Sequence, residues 1–519
     1  MRVCRAPGDA CLLLTSKNEP DGRDAFKSKL NRILSTRMNA KPIVIALDAG
    51  TSSVRALAFD VTGQQVGNIA QIAYSQTTTA DGGVECDALK LLDLLEQCLD
   101  ELLGSVEGEV LAVGMSCFWH SLMAIDQHDT PQTGVLSWAD NRARAHVEVL
   151  RELMDEDVLH ARLGTPFHTS YWPAKLLWLR DVHPELFESK HRWMSFGEFV
   201  ALQWTKEPRV SLSMASGTGL FDQNRCDFDE EMLSHLPIKR KQLLPLCDVN
   251  DALELKPKMV KRWPRLKKAK WFAALGDGAC SNIGGGGTDA STLALNAGTS
   301  GALRVVLPDF DGAPPHGLWR YRVDKHRSLV GGALSNCGNV LAWARQNLQL
   351  PDDWQKQLGE MKADSHGLTV LPFLAGERAP IWNPNAHFAL AGATLHTAPM
   401  DILRSCLEAA ALRYRVLGEL LSPLAPTAQI TFSGGALEHV PAWQTIVCDA
   451  MGRSLCASKE SEASARGAAL LALEAIGEIS SVSDAPSERG EILEPDVSNT
   501  SVYTRALERQ NSLYAKLYE

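Results

Sequence analysis

The run Pro42-Ile43-Val44-Ile45-Ala46-Leu47-Asp48-Ala49-Gly50-Thr51-Ser52-Ser53-Val54-Arg55-Ala56-Leu57-Ala58-Phe59-Asp60 reads as an apolar strand, a turn of small residues and a second apolar strand. The chain writes nearly the same thing again as Ala294-Leu295-Asn296-Ala297-Gly298-Thr299-Ser300-Gly301, followed by the apolar Ala302 to Leu307. Six of the seven residues from Ala46 to Ser52 recur from Ala294 to Ser300, 248 positions later and close to half of the 519-residue chain. Duplication of one domain produces a strand-turn-strand unit repeated at such an offset. The single substitution, Asp48 to Asn296, fits two turns facing one cleft and offering backbone N–H and hydroxyl donors to an anion. One carboxylate then suffices for a metal, and a second would repel the bound anion.

Helical patterns fill the intervals between strands. Leu89 to Leu103 has apolar residues at Leu91, Leu92, Leu94, Leu95, Leu99, Leu102 and Leu103, and similar patterns run over 174–179, 400–421 and 465–476. Strands alternating with helices in each half predict an α/β protein of two domains, with ligands in the cleft between them. The length agrees, because domains typically hold about 100–250 residues. A composition of 45% hydrophobic and 22% charged residues is that of a globular protein. The net charge of -10 argues against a nucleic-acid partner. The twelve cysteines are scattered with no CxxC pair, and no apolar run reaches a membrane span. A cytoplasmic protein with reduced thiols and no membrane association is expected, and a homo-oligomer is compatible with the sequence. Residues 1–40 differ from the rest, being rich in Arg and Lys around one short apolar stretch. They are read as a disordered or non-native extension, with translation expected to begin at Met38, against the alternative of a basic targeting segment.

Candidate chemistry gathers at strand ends. Leu275-Gly276-Asp277-Gly278-Ala279 closes an apolar strand with one aspartate before a run able to start a helix. Such an aspartate either caps the helix or does chemistry, and its position where the halves meet favours chemistry. Ser433-Gly434-Gly435-Ala436 and Gly331-Gly332 through Gly338 are further glycine turns after apolar runs, which serve either close packing or a ligand. Neither has the GxxxxGK[ST] spacing of a P-loop, and no GxGxxG follows a strand, so the two common nucleotide motifs are excluded. In the first half, Phe118-Trp119-His120 and Trp138-Ala139-Asp140-Asn141-Arg142 offer an aromatic face beside groups that bind hydroxyls or a carboxylate. An ordinary loop with a packing Trp reads the same way.

Taken together, the stretches LDAGTSSVRA, WADNRA, SGTGLFD, GDGACSNIG, NAGTSG, LPFLAGERAPIWNP and SGGA resemble, in order, those of the FGGY family of carbohydrate kinases. The resemblance runs from Ile43 to about Ile476. Within the family the likeness is greatest to gluconate kinases, through YWPAKLLWLR, SMASGTGLFD, GLWRYRVD and GGALSNCGNVLAW. Where many relatives have Gln-Met-His, this chain has Phe118-Trp119-His120. The resemblance implies two duplicated actin-like, ribonuclease H-like ATPase domains around a central cleft, a sugar-binding N-terminal domain over 41–280 and a nucleotide-binding C-terminal domain over 281–519. It implies ATP and Mg2+ as cofactors and a sugar or sugar acid as acceptor, with D-gluconate to 6-phosphogluconate first and xylulose or another ketose as the alternative.

The roles it implies are these: Asp277 as general base, Asp48 toward hydrated magnesium, and Gly50, Thr51, Ser52 and Arg55 along the ATP phosphates with Gly298 and Thr299 from the second half. Gly338, Gly435 and Ala436 line the adenosine site, and Trp119, His120, Asp140 and Arg142 face the sugar. Arg142 and Arg304 are not assigned as carboxylate readers, since arginines more often serve in ion pairs. Two other classes stand as rivals: an actin-like protein gated by nucleotide that phosphorylates no sugar, and a silent relative, against which the retained Asp48 and Asp277 argue.

Overall fold

The computed structural model describes residues 41–188 and 190–519, so the reading of the N-terminal extension falls outside the described residues. The repeated hairpin opens each of two mixed sheets. In the first, β1 (Ile43–Ala49), β2 (Ser53–Asp60) and β3 (Gln65–Ala73) form an antiparallel meander. The helix α1 (Ala88–Ser105), capped by the Asp87 carboxylate, then returns the chain to β4 (Val110–Cys117), which lies parallel to β1. Beyond it come the short β5 (Lys270–Trp271) and β6 (Leu275–Gly276), both parallel to β4, giving the order β5-β4-β1-β2-β3 with β6 also on β4. Between β4 and β5 the chain builds a lobe that includes α2 (Trp172–Val182) and α3 (Phe196–Trp204). From β6 it passes directly into α4 (Asp277–Gly284).

The second sheet repeats the plan. It contains β7 (Thr292–Ala297), β8 (Gly301–Pro308), β9 (Trp319–Arg322) and β10 (Arg327–Leu334). After α5 (Gly338–Asn347) and the long α6 (Pro399–Leu421) come β11 (Gln429–Ser433), α7 (Pro441–Met451), β12 (Leu455–Ser458), α8 (Ala463–Ala475), β13 (Arg489–Leu493) and α9 (Val497–Tyr518). The strand order is β9-β10-β8-β7-β11-β12-β13. Thus β7, β8, β10, β11 and β12 stand to one another as β1, β2, β3, β4 and β5 do. Strands paired on both sides and covered by helices must be apolar on both faces, which is why every residue of β1 is buried, Asp48 included.

The two units interlock. Although α8 follows β12 of the second sheet, it packs on β1 and β4 of the first and crosses α4. The crossing is backbone-close: a Cβ on Gly284 would lie 1.9 Å from the carbonyl oxygen of Ala463, and one on Gly467 would lie 1.9 Å from that of Cys280. Arg466 fixes the junction by donating to the carbonyls of Gly63 (3.0 Å) and Gly284 (2.6 Å). All ten described cysteines are free thiols, and among the described residues no helix is long and apolar enough to cross a membrane.

Candidate active site

A cavity of about 250 Å3 opens between the two sheets, lined from the first half by Thr51, Trp119, His120, Trp138, Tyr171 and Asp277 and from the second by Asn296, Ser300, Arg304, Tyr321, Arg378 and Trp382, among others. Its walls are the two equivalent hairpin turns. In the first, Gly50 N–H donates to Ser53 O at 3.0 Å, and Tyr74 braces the turn through its hydroxyl on Gly50 O (2.6 Å) and its N–H on Ser52 O (3.0 Å). In the second, Gly298 N–H donates to Ser300 O at 3.0 Å, and Tyr414 donates its hydroxyl to Asn296 O at 2.7 Å. The start of α5 meets this turn, with Gly338 N–H on Gly298 O (2.9 Å) and Asn339 N–H on Thr299 O (3.0 Å), and Ala436 packs beside Gly338. Gly298, Thr299, Gly338 and Ala436, with Gly435 next in sequence, thus lie together beside the second turn, and none of the five is among the residues lining the cavity.

Asp277 is the first residue of α4 and the only carboxylate among the lining residues. The N-cap position is Gly276, without a side-chain cap, and one Asp277 oxygen accepts the N–H of the next residue, Gly278, at 2.8 Å, so a bond to a first-turn amide and a place in the cavity coexist. Burial raises its pKa above the usual carboxylate range, and the Arg304 guanidinium opposes that shift. The backbone before it is glycine because Trp119 leaves no room: a Cβ on Gly276 would lie 1.8 Å from the indole. Trp119 itself is pinned by its Nε1–H on Ser213 O at 2.9 Å.

Behind Asp277 lies Asp48, buried on β1 opposite Arg55 of β2. Burial lifts its carboxyl to about 6, with Asp277 and Glu462 pushing the same way and Ser116 and Arg55 opposing. Arg55 does not reach the cavity. Its Nη1 sits 3.4 Å from Asp48 and 3.0 Å from Glu462, the residue before α8, so the side chain expected along the phosphates instead ties β2 to the second half. Two neighbouring buried carboxylates each disfavour the other's charge, a repulsion that a divalent cation relieves, so Asp48 and Asp277 suit magnesium.

His120 has a left-handed backbone, φ 66°, and its Nδ1 lies 2.5 Å from Gly217 O. A carbonyl can only accept, so Nδ1 carries the proton and Nε2 keeps a lone pair. Burial drops the pKa to about 3, leaving the ring neutral, and Tyr171 and Tyr321 pack around it. Asp140 and Arg142 are not among the lining residues. Asp140 is 1% exposed and accepts N–H bonds from Val84 and Arg142, while Arg142 pairs with Asp140 (2.5 Å) and Glu85 (2.9 Å) and lies over Trp178. They hold the loop that presents Trp138. The task of fixing the wall falls to Lys175 on α2, fully buried, whose Nζ donates to the carbonyls of His120 (2.9 Å), Ser137 (2.7 Å) and Ser170 (2.9 Å).

Lys175, Tyr171, Tyr321 and Arg378 are not singled out as site residues by the sequence, although each stands in a stretch that carries the family resemblance: Tyr171 and Lys175 in YWPAKLLWLR, Tyr321 in GLWRYRVD and Arg378 in GERAPIWNP. Arg378 stands beside Glu377, which is buried and paired with Arg413 at 2.7 Å.

The chain matches the N-terminal domain of the FGGY family of carbohydrate kinases over residues 43–284 and the C-terminal domain of that family over residues 293–476. A gluconokinase of Bacillus subtilis is 25% identical over 455 residues, spanning 84% of this chain and 88% of the relative. The crystal structure of gluconate kinase from Lactobacillus acidophilus superposes with a TM-score of 0.85 at 26% identity, over 92% of this chain and 98% of that one. Ligand-bound xylulose kinase from the same organism gives the same figures, TM-score 0.85 and 26% identity, with the same coverage of 92% and 98%. With both family domains matched in order along the two sheets that enclose the cavity, the chain belongs to the FGGY family of carbohydrate kinases.

Proposed function

We propose that this sugar kinase transfers the γ-phosphoryl group of ATP to a primary hydroxyl of a sugar acid, D-gluconate giving 6-phosphogluconate. The observation that carries the reading is Asp277, the sole carboxylate among the cavity-lining residues, set between the two Gly-Thr-Ser turns. In this reading the turns cradle the phosphates with amide N–H and hydroxyl donors, and Gly338, Gly435 and Ala436 bound the adenosine. Asp277 takes the proton from the acceptor hydroxyl as the oxygen attacks phosphorus in line. The N-terminus of α4 stabilises its charged form, and the Arg304 charge beside it does the same. The Nε2 of His120 accepts a sugar hydroxyl, and Trp119 and Tyr321 supply the apolar face. Magnesium, held through Asp48 and Asp277, would neutralise phosphate charge.

Gluconate is favoured by the run of motifs shared with gluconate kinases and by the Bacillus gluconokinase relative. A ketose acceptor is favoured by the equal likeness to xylulose kinase. The test is coupled ADP release with D-gluconate, D-xylulose, L-ribulose, sedoheptulose and glycerol. Gluconate is expected to give the highest kcat/KM. A ketose ranking first would move the substrate to the second reading, and ADP release indifferent to every sugar would overturn the kinase mechanism in favour of a nucleotide-gated protein.

A further inference from the structure

Arg304 and Arg378 both line the cavity, and among the described residues neither guanidinium has a carboxylate within ion-pairing distance. Arg304 makes one long contact, 3.4 Å to Gly278 O, and Arg378 one of 3.3 Å to Leu334 O. The Nε of Arg378 is buried with no partner, and its guanidinium lies 5.0 Å from the Trp138 ring centroid, a stack that fixes the plane without neutralising the charge. Burial lowers the pKa of both side chains, and for Arg378 the nearby Arg304 charge lowers it further. Arg304 has the Asp277 charge beside it, whereas among the described residues Arg378 has no carboxylate within ion-pairing distance, and a buried cation is costly unless something anionic completes it. A planar fork of N–H donors matches one anion best, a carboxylate bound bidentately.

The anion could be a substrate carboxylate or the transferring phosphoryl group. The substitutions below separate them. Arg378 donates to Leu334 O, across the strand pair from Gly301, and lies over Trp138, and its charge is felt by His120 and His168. Arg304 is the one beside Asp277. An extended polyhydroxy chain whose terminal hydroxyl meets Asp277 would lay its other end toward Arg378.

We propose that Arg378, supported by Arg304, is the seat for a substrate carboxylate and selects aldonic acids over neutral sugars and alditols. This rests on the sugar-kinase reading of the same cavity and sharpens its substrate class. The experiment compares kcat/KM for D-gluconate with that for D-glucitol, the same carbon chain with CH2OH in place of the carboxylate, in the full chain and in Arg378→Gln and Arg304→Gln. Melting curves run in parallel.

Wild type is expected to prefer gluconate, and in Arg378→Gln the gluconate-to-glucitol ratio should fall roughly 10- to 100-fold, the loss of one charged hydrogen-bonded contact, with a smaller fall in Arg304→Gln. A preference that survives both substitutions, with the two substrates losing rate together, would place the arginines on the phosphoryl group or in the fold and overturn the proposal while leaving gluconate as substrate. A wild-type ratio near one would remove the sugar-acid reading itself, and the proposal with it. Should Arg378→Gln melt far below wild type, Arg378→Lys carries the test. It keeps the charge but not the fork, so an intermediate ratio is expected and an unchanged one counts against the seat.

Discussion

Asp277 shows how a single side chain can hold two roles that sequence alone sets against each other. Its first oxygen satisfies a helix-terminal N–H, and the carboxylate still faces the cavity. Replacement by Asn keeps an acceptor for that N–H and removes the base, so kcat should fall by at least about 10²-fold while circular dichroism and the melting curve stay those of wild type. Turnover within a fewfold of wild type would reject Asp277 as the proton acceptor. The charge state also sets a pH limit. Burial raises the pKa of Asp277, and it holds Asp48 at about 6, so as pH falls the pair takes up protons well above the range of an exposed aspartate. The base is present above that window and lost below it. The acid limb of kcat is therefore expected above the range of an exposed aspartate, an apparent value belonging to the two coupled carboxylates, and a profile flat to pH 4.5 would contradict it. His120, already neutral down to about pH 3, contributes nothing to that limb.

At the scale of elements, two contacts decide whether the cavity keeps its shape. Lys175 of α2 joins three separate loops by donating to three carbonyls. Lys175→Met has similar bulk and strands all three acceptors. It should cost about 2–4 kcal/mol of unfolding free energy and raise the KM for the sugar more than that for ATP. Equal KM changes, read from initial rates with each substrate varied, would show that the lysine does not organise the sugar side.

The crossing of α4 and α8 is the second contact. Because a Cβ at Gly467 meets the Cys280 carbonyl oxygen at 1.9 Å, Gly467→Ala must push the helices apart. A loss of about 1–3 kcal/mol in urea unfolding is expected, together with reduced kcat, since α4 carries Asp277 at its first turn. A variant as stable and active as wild type would mean that the crossing has slack.

Over the whole molecule, the cavity belongs to neither sheet: Thr51, Trp119, His120 and Asp277 come from one half and Asn296, Arg304 and Arg378 from the other. A ligand pair touching both walls should draw them together, and closure would exclude the water that otherwise hydrolyses ATP. Solution X-ray scattering of Asp277→Asn, which holds both substrates without rapid turnover, is expected to give a smaller radius of gyration with ATP and gluconate together than with either alone. Identical radii in all three states would argue for a cleft already closed.

The sequence by itself determined the duplication, the α/β class and the strand-end position of Asp277, because a buried strand must be apolar along its whole length and a repeat at half the chain survives as residue identity. The helices over 88–105 and 399–421 were legible for the same reason, their apolar spacing lying within the element itself. Only the tertiary structure decided that Asp140 and Arg142 satisfy each other behind the wall, that Arg55 turns to Glu462, and that Arg304 faces the cavity beside Asp277 and Arg378 faces it without a carboxylate in ion-pairing distance. Glu462 lies hundreds of positions from Arg55 and Glu85 dozens from Arg142, and even for Asp140 and Arg142, two positions apart, spacing does not say whether the side chains turn to each other or to a ligand.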